Sequence, residues 1–247
     1  MAKQKGIIPL VGTIGGINFY YLNGKPVARR AGGGFNGKAI KTKASMQRVR
    51  ENGSEFGQCS QVNKAFRQAL RPFYKGYTFT YFHSRLMGLF TQLKDLDLVG
   101  TRGNRVVSEG VATVEGMHLL KAFVYTPDCR IGSVLPFNFD VDASTYALTI
   151  RDFDIGRVRF IGGATHIELT YGVLDFNFET LAFELHLAPP LILDRHYTAT
   201  SVSLVPESLP IGMGTVLCVL GVRFYEEVNG ERYVLNAADG VGFGIVG

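Results

Sequence analysis

The sequence predicts a mainly β protein, an antiparallel, jelly-roll-like β-sandwich that carries an N-terminal basic β-hairpin arm and two helices. Three observations support this fold class. Strand-like segments separated by turn residues fill the chain after residue 105, apolar residues recur at helical intervals between 45 and 96, and hairpin signals precede residue 31. We therefore divide the 247 residues into an arm at 1–44, a basic helical region at 45–105 and an acidic sandwich at 106–247.

The arm at 1–44 is expected to consist of short strands joined by tight turns. Its segment INFYY, at 17–21, is rich in residues that favour strands. Gly15-Gly16 and Asn23-Gly24 are typical of two-residue hairpin turns, in which both residues adopt positive φ. Gly32, Gly33 and Gly34 follow, and they predict a flexible joint between the arm and the rest of the chain.

Two helices are expected between residues 45 and 105. Apolar residues recur every three or four positions from about 45 to 71, and Pro72 ends that pattern. A second stretch, from about 80 to 96, has a broad apolar stripe that includes Phe82, Leu86 and Phe90. Such a stripe is typical of a helix that packs against a core.

The region 106–247 is expected to form the sandwich, because short strand-like segments follow one another without an evident helical pattern. These segments are 110–116, 118–126, 145–152, 165–172, 181–188, 199–205 and 215–228. Asn229-Gly230 then predicts a hairpin that leads into 231–236.

Charge is distributed unevenly along the chain. Residues 1–105 contain 18 Lys and Arg against 4 Asp and Glu, whereas residues 106–247 contain 8 against 17. The basic part could meet nucleic acid or the acidic part of a neighbouring copy, or the two parts could neutralise each other within one monomer. The sequence leaves these three interpretations open.

No motif in the sequence indicates a catalytic, cofactor or metal site. Gly32, Gly37 and Lys38 match the start of a phosphate-binding loop, but Ala39 stands where the motif needs a magnesium-binding Ser or Thr. Glu184 and His186 would share a strand face, which alone is a weak sign of acid–base or metal chemistry. We therefore expect no enzyme activity and no cofactor. Three isolated cysteines predict buried, reduced thiols.

The N-terminus shows neither a continuous apolar signal-peptide region nor a membrane span. The stretch 6–22 follows Lys3 and Lys5, but glycines and Pro9 interrupt it. We expect synthesis in the cytoplasm with the N-terminus retained. An assembled particle or the cell exterior stays open as the final location.

Two segments resemble a family of uncharacterised proteins found in Bacteroidetes. The family's start, K-G-x5-G-T-I-G-x-I-x-F-Y, is matched by Lys5, Gly6, Gly12, Thr13, Ile14, Gly15, Ile17, Phe19 and Tyr20. Its second segment, R-x-R-E-N-x-x-E-F-G, is matched by Arg48, Arg50, Glu51, Asn52, Glu55, Phe56 and Gly57. The likeness covers roughly the first 75 residues and is much weaker beyond them. The resemblance implies no activity, only that the N-terminal region is a unit of its own.

The first functional hypothesis is a non-enzymatic, self-assembling structural subunit of a filament, sheath, surface layer or virion-like particle. In this hypothesis the arm adds strands to the sheet of another copy, and the homo-oligomer propagates head to tail. The residues expected to carry the assembly contact are Ile17, Phe19, Tyr20, Arg29, Arg30, Gly32, Gly33 and Gly34.

The second hypothesis is nucleic-acid binding through the basic region, where Lys and Arg alternate with Phe and Tyr. The expected phosphate contacts are Arg48, Arg50, Lys64, Arg67, Arg71 and Lys75. A ligand- or carbohydrate-binding β-sandwich is a third hypothesis, since such folds host many functions.

Overall fold

The structure is a computed structural model that describes residues 2–5, 8–32 and 37–247. The chain divides into two compact units, Met1–Arg50 and Glu51–Gly247. Each unit is described by itself below. The boundaries that the sequence suggested at 44 and 105 stay predictions.

The N-terminal unit is built on a four-stranded antiparallel sheet. Its strands are β1 (Ala2–Lys3), β2 (Gly12–Ile14), β3 (Ile17–Leu22) and β4 (Lys25–Arg30), and they lie in the order β1-β4-β3-β2. Gly15 and Gly16 join β2 to β3, and Asn23 and Gly24 join β3 to β4, all four with φ between 51° and 74°. Paired positive φ values define the hairpin turns that the sequence predicted.

Helices follow in the chain. Their bounds are α1 (Gly37–Thr42), α2 (Gln47–Ala69), α3 (Phe82–Asp95), α4 (Val107–Ala112), α5 (Val114–Ala122) and α6 (Ile131–Val134). Helices α2 and α3 confirm the helices expected at 45–71 and 80–96, and α2 ends three residues before Pro72. Helix α1 lies in the segment that was predicted to belong wholly to a β arm.

Two predicted strands are wrong. Segments 110–116 and 118–126 instead contain the second half of α4 and most of α5. Thr113 caps the N-terminus of α5, where its side-chain oxygen accepts a hydrogen bond from the Gly116 backbone N–H at 2.9 Å. The valines and threonines of these segments favour strands but do not alternate with polar residues. The cap and the packing of the helices outweigh that preference.

The remaining strands form two antiparallel sheets. Their bounds are β5 (Asp140–Val141), β6 (Leu148–Ile150), β7 (His166–Phe176), β8 (Phe183–Leu187), β9 (Leu191–Asp194), β10 (Val202–Leu204), β11 (Thr215–Val228), β12 (Glu231–Val234) and β13 (Val241–Ile245). The smaller sheet has the order β10-β6-β5. The larger, curled sheet has the order β12-β11-β7-β8, with β13 also paired to β11 and β9 also paired to β7.

The two long strands of the larger sheet separate two hydrophobic cores. On one face, Leu174 of β7 and Val219 of β11 pack with Phe66 of α2 and Phe90 of α3. On the other face, alternate residues of the same strands, such as Val173, pack with the smaller sheet. We call these the helix-side core and the small-sheet core.

The architecture is therefore mixed α/β, with roughly 30% helix and 29% strand, and it is not clearly a sandwich. The expectation of a mainly β chain with two helices underestimated the helical content. Helices cover one face of the larger sheet, so a second sheet is needed only on the other face.

A buried ion cluster fixes the loop that follows α3. The Glu55 carboxylate, 4% exposed, accepts hydrogen bonds from Lys94 Nζ at 2.9 Å, from Arg105 Nε and Nη2 at 2.9 and 3.0 Å, and from the Gly103 backbone N–H at 2.7 Å. The Arg105 guanidinium is the main reason why the pKa of Glu55 falls from its ordinary value of 4.5 to about 2. The cluster therefore holds a carboxylate in its charged form inside the protein.

Candidate functional site: the N-terminal sheet

The register of the N-terminal sheet separates its residues into two faces. Directly paired residues share a face, and successive residues of a strand alternate between faces. Ile17 pairs with Ile14 and Arg30, Phe19 pairs with Gly12 and Ala28, and Tyr21 pairs with Pro26. One face therefore carries Ile14, Ile17, Phe19, Tyr21, Pro26 and Ala28, and we call it the apolar face.

The apolar face is largely exposed. Ile14 is 56% exposed, Ile17 42% and Tyr21 49%. Among the described residues of the N-terminal unit, Val27 is the one buried hydrophobic side chain, and it lies on the opposite face. A small sheet with an uncovered apolar face gains stability when that face is covered.

The segment that leads into β2 extends the exposed apolar surface. Ile8 is 80% exposed, Leu10 44% and Val11 69%. The Gln4 side chain fastens this segment, because its Oε1 accepts the Leu10 backbone N–H at 2.9 Å and its Nε2 donates to the Val27 carbonyl at 2.9 Å. Since β2 ends the sheet, an apolar edge strand is presented there, and such edges pair readily with other chains.

The N-terminal unit is wholly basic. Residues 1–50 contain ten Lys and Arg and no Asp or Glu. Arg30 lies on the apolar face beside Ile17, whereas Arg29 lies on the other face, with its guanidinium carbon 5.5 Å from the centre of the Tyr20 ring. The two arginines that the sequence assigned to one contact therefore lie on opposite faces.

The predicted joint is described only in part. Gly32 follows β4 with a φ of 83°, a conformation that favours glycine. Gly33 and Gly34 lie outside the described residues. Lys38, from the partial phosphate-loop motif, lies in the short helix α1, and the strand before it belongs to an exposed antiparallel sheet. A phosphate-binding loop follows a buried parallel strand, so this context does not support one.

The basic residues expected to contact nucleic acid have mixed environments. Arg50 donates to the Ile40 and Lys43 carbonyls at 2.6 and 3.0 Å, and Arg67 donates to Asn63 Oδ1 at 2.8 Å. Exposed basic side chains are Arg48, Lys64, Arg71 and Lys75.

The aromatic residues interleaved with these basic residues are mostly part of the helix-side core. Phe66 and Phe73 are at most 3% exposed. Phe66 and Phe73 cannot stack on bases, whereas Tyr77 is half-buried and Tyr81 is exposed, so the hypothesis of nucleic-acid binding depends mainly on the basic side chains.

The structure adds Ser208 to the Glu184 and His186 pair that the sequence singled out. His186 Nδ1 lies 2.7 Å from Ser208 Oγ, and His186 Nε2 lies 3.6 Å from Glu184 Oε2. The second distance is longer than a hydrogen bond, so the contacts do not form the chain that activates a serine nucleophile. In the part of the chain that the structure describes, no three His, Cys, Asp or Glu side chains converge as a metal site would require.

Comparison with known proteins found no matching family model, no matching curated protein and no matching solved structure. Within the described ranges, none of the helices has both the length and the apolar character needed to cross a membrane.

Proposed function

We propose that this protein is a non-enzymatic structural subunit that assembles with other copies of itself through the apolar face of its N-terminal sheet. One observation carries the proposal, which is that a wholly basic unit leaves this face exposed and buries a single hydrophobic side chain among its described residues. Covering the face would contribute roughly 1 kcal/mol for each half-exposed large side chain.

Charge supports a second copy as the occupant of this face. Residues 106–247 carry 17 Asp and Glu against 8 Lys and Arg, so this part of the chain attracts the basic unit. The donor and acceptor surfaces are different parts of the chain, and such head-to-tail contacts extend into rings or filaments. A filament, sheath, surface layer or virion-like particle would follow from this geometry, and the two sheets that share the small-sheet core would be the sandwich-like body of each subunit.

Removing residues 1–31 tests the proposal. Every residue of the two cores lies between Cys59 and Val246, so the shortened chain should keep its fold and its circular dichroism spectrum. We expect it to be monomeric in sedimentation velocity and to form no particles in electron micrographs, whereas the full chain associates. Normal assembly of the shortened chain would contradict the proposal, as would a full chain that stays monomeric at high concentration and low salt.

A matched pair of substitutions separates the apolar face from the sheet in general. Ile17→Asp places a charge on the apolar face, whereas Asn18→Asp adds the same charge on the other face and keeps an acceptor for Thr13 Oγ1. We expect Ile17→Asp to weaken association about tenfold, equivalent to about 1.4 kcal/mol, and Asn18→Asp to have a much smaller effect. Equal effects would mean that charge alone, rather than the apolar face, governs association.

Nucleic-acid binding is the second candidate function. It is favoured by Lys64, Arg71 and Lys75, which are exposed in α2 and in the turn that follows it. Binding through phosphates would weaken steeply as salt rises, and Lys64→Ala with Arg71→Ala would reduce that salt dependence by about two phosphate contacts. Binding that is absent at low salt, or insensitive to salt, would remove this candidate.

A further inference from the structure

The end of β11 and the strand β12 form a two-stranded ribbon that extends past the larger sheet. Tyr225 of β11 pairs with His166, the first residue of β7, and the residues after Tyr225 pair only with β12. Asn229 and Gly230, with φ of 55° and 83°, form the turn. All residues from 226 to 233 are exposed, and we call this segment the ribbon. A two-stranded ribbon is marginal in water by itself, so a partner on one of its faces would stabilise it.

The two faces of the ribbon differ in chemistry. Glu226 pairs with Tyr233, and Val228 pairs with Glu231, which places these four residues on one face. Val228 is 45% exposed and Tyr233 59%, and that face has two carboxylates and no basic residue. We call it the acidic face.

The opposite face of the ribbon is closer to neutral. Glu227 lies directly across from Arg232, and the Glu227 carboxylate is 3.5 Å from His166 Nε2. Opposite charges that lie directly across two strands attract each other, so this face has less net charge. The acidic face is therefore the side of the ribbon that has unmatched charge together with exposed apolar side chains.

We infer that the acidic face of the ribbon receives the apolar face of the N-terminal sheet of another copy. This inference rests on the proposed function and names its receiving surface. Both surfaces have apolar side chains, Val228 and Tyr233 on the ribbon and Ile17, Phe19 and Tyr21 on the N-terminal sheet. Their charges are opposite, with Glu226 and Glu231 on one surface and Arg30 on the other.

Charge reversal on the two faces of the ribbon tests the inference. Glu226→Lys changes the acidic face, and Glu227→Lys makes the same change on the neighbouring residue of the opposite face. In sedimentation velocity on the full chain, we expect Glu226→Lys to weaken association about tenfold and Glu227→Lys less than about twofold. The melting temperature of each variant confirms that the fold is kept. Equal effects of the two substitutions would overturn the inference.

Compensation provides a second measurement. Arg30→Glu should weaken association about tenfold, and the chain that combines Arg30→Glu with Glu226→Lys should recover to within about threefold of the natural chain. Losses that simply multiply in the combined chain would overturn the contact between Arg30 and the acidic face.

Mixing two variants distinguishes contact between copies from contact within one chain. A chain with Glu226→Lys and Glu231→Lys keeps only its donor surface, and a chain with Arg30→Glu keeps only its acceptor surface. We expect neither to grow alone and the two together to form capped heterodimers. Absence of heterodimers would overturn the inference.

If the shortened chain without residues 1–31 stays monomeric while the ribbon variants assemble normally, the receiving surface is wrong and the proposed function stands. If the shortened chain still assembles, the proposed function itself fails.

Discussion

At the scale of single residues, Glu55 has the largest concentration of polar contacts described above. It neutralises Lys94, whose side chain is 8% exposed, and it orients Arg105 and the backbone of Gly103. Removing one member of a buried ion pair leaves an uncompensated charge in a poorly solvated place. Glu55 lies on the buried side of α2, so its contribution to stability comes from this cluster.

We expect Glu55→Ala to lower the free energy of unfolding by about 3–5 kcal/mol, measured by urea denaturation. The pair between Asp140 and Arg151 provides the control, because both side chains are more than 60% exposed. Asp140→Ala should cost less than about 1 kcal/mol, as exposed ion pairs do. Similar losses in the two variants would show that burial of the Glu55 cluster contributes nothing.

The lowered pKa of Glu55 also predicts a pH dependence. Because Arg105 and Lys94 hold the pKa near 2 in the folded chain, against an ordinary 4.5, the charged form stabilises the fold fully above about pH 4.5. That stabilisation is lost as the pH falls through the interval from 4.5 to about 2. The difference in unfolding free energy between the natural chain and Glu55→Gln should therefore shrink across this interval. A constant difference would contradict the assignment.

At the scale of elements, the contact between α3 and α4 requires a glycine. A Cβ on Gly110 would lie 1.8 Å from the Leu93 carbonyl oxygen, so the two helix backbones touch there. A Cβ on Gly88, in the exposed side of α3, would have no atom within 4 Å. The two glycines therefore have opposite roles in the same pair of helices.

We expect Gly110→Ala to destabilise the chain by about 1–3 kcal/mol, because the helices must separate. Gly88→Ala should stabilise it by about 0.5–1 kcal/mol, because alanine loses less conformational freedom in a helix. Thermal unfolding of both variants measures the difference. If Gly88→Ala destabilised the chain as much as Gly110→Ala, the effect at Gly110 could not be assigned to the close approach of α3 and α4.

These elements also indicate which features could be predicted from sequence. The hairpins at Gly15-Gly16 and Asn23-Gly24 and the helices α2 and α3 depend on local turn chemistry and period, which the sequence displays directly. Helices α4 and α5 depend on the approach of Gly110 to Leu93, a contact that no local pattern encodes. The candidate site was predicted in part, since Ile17 and Phe19 lie on the apolar face, whereas Tyr20 and Arg29 lie on the opposite face.

At the scale of the whole molecule, the uneven charge predicts how assembly depends on salt. Replacing Arg29 and Arg30 by Glu should weaken association most at low ionic strength, where the attraction between copies is least screened. We expect the effect to shrink several-fold between about 0.05 M and about 0.5 M salt, because the Debye length falls below about 5 Å. Sedimentation velocity at the two salt concentrations measures it. An effect independent of salt would assign the loss to packing instead.

Because β7 and β11 separate the two cores, the reactivity of the buried thiols can report the opening of each core separately. Cys59 lies in the helix-side core, and Cys129 and Cys218 lie in the small-sheet core. Burial raises the pKa of each thiol, to about 12 at Cys129, so each becomes reactive only when its own side opens. Chains that retain only Cys59 or only Cys218 would time the two openings separately. Because both cores are attached to the same two strands, we expect the two chains to react with a thiol dye at equal rates. A higher reaction rate at Cys59 would mean that the helices detach from the sheet before the small-sheet core opens.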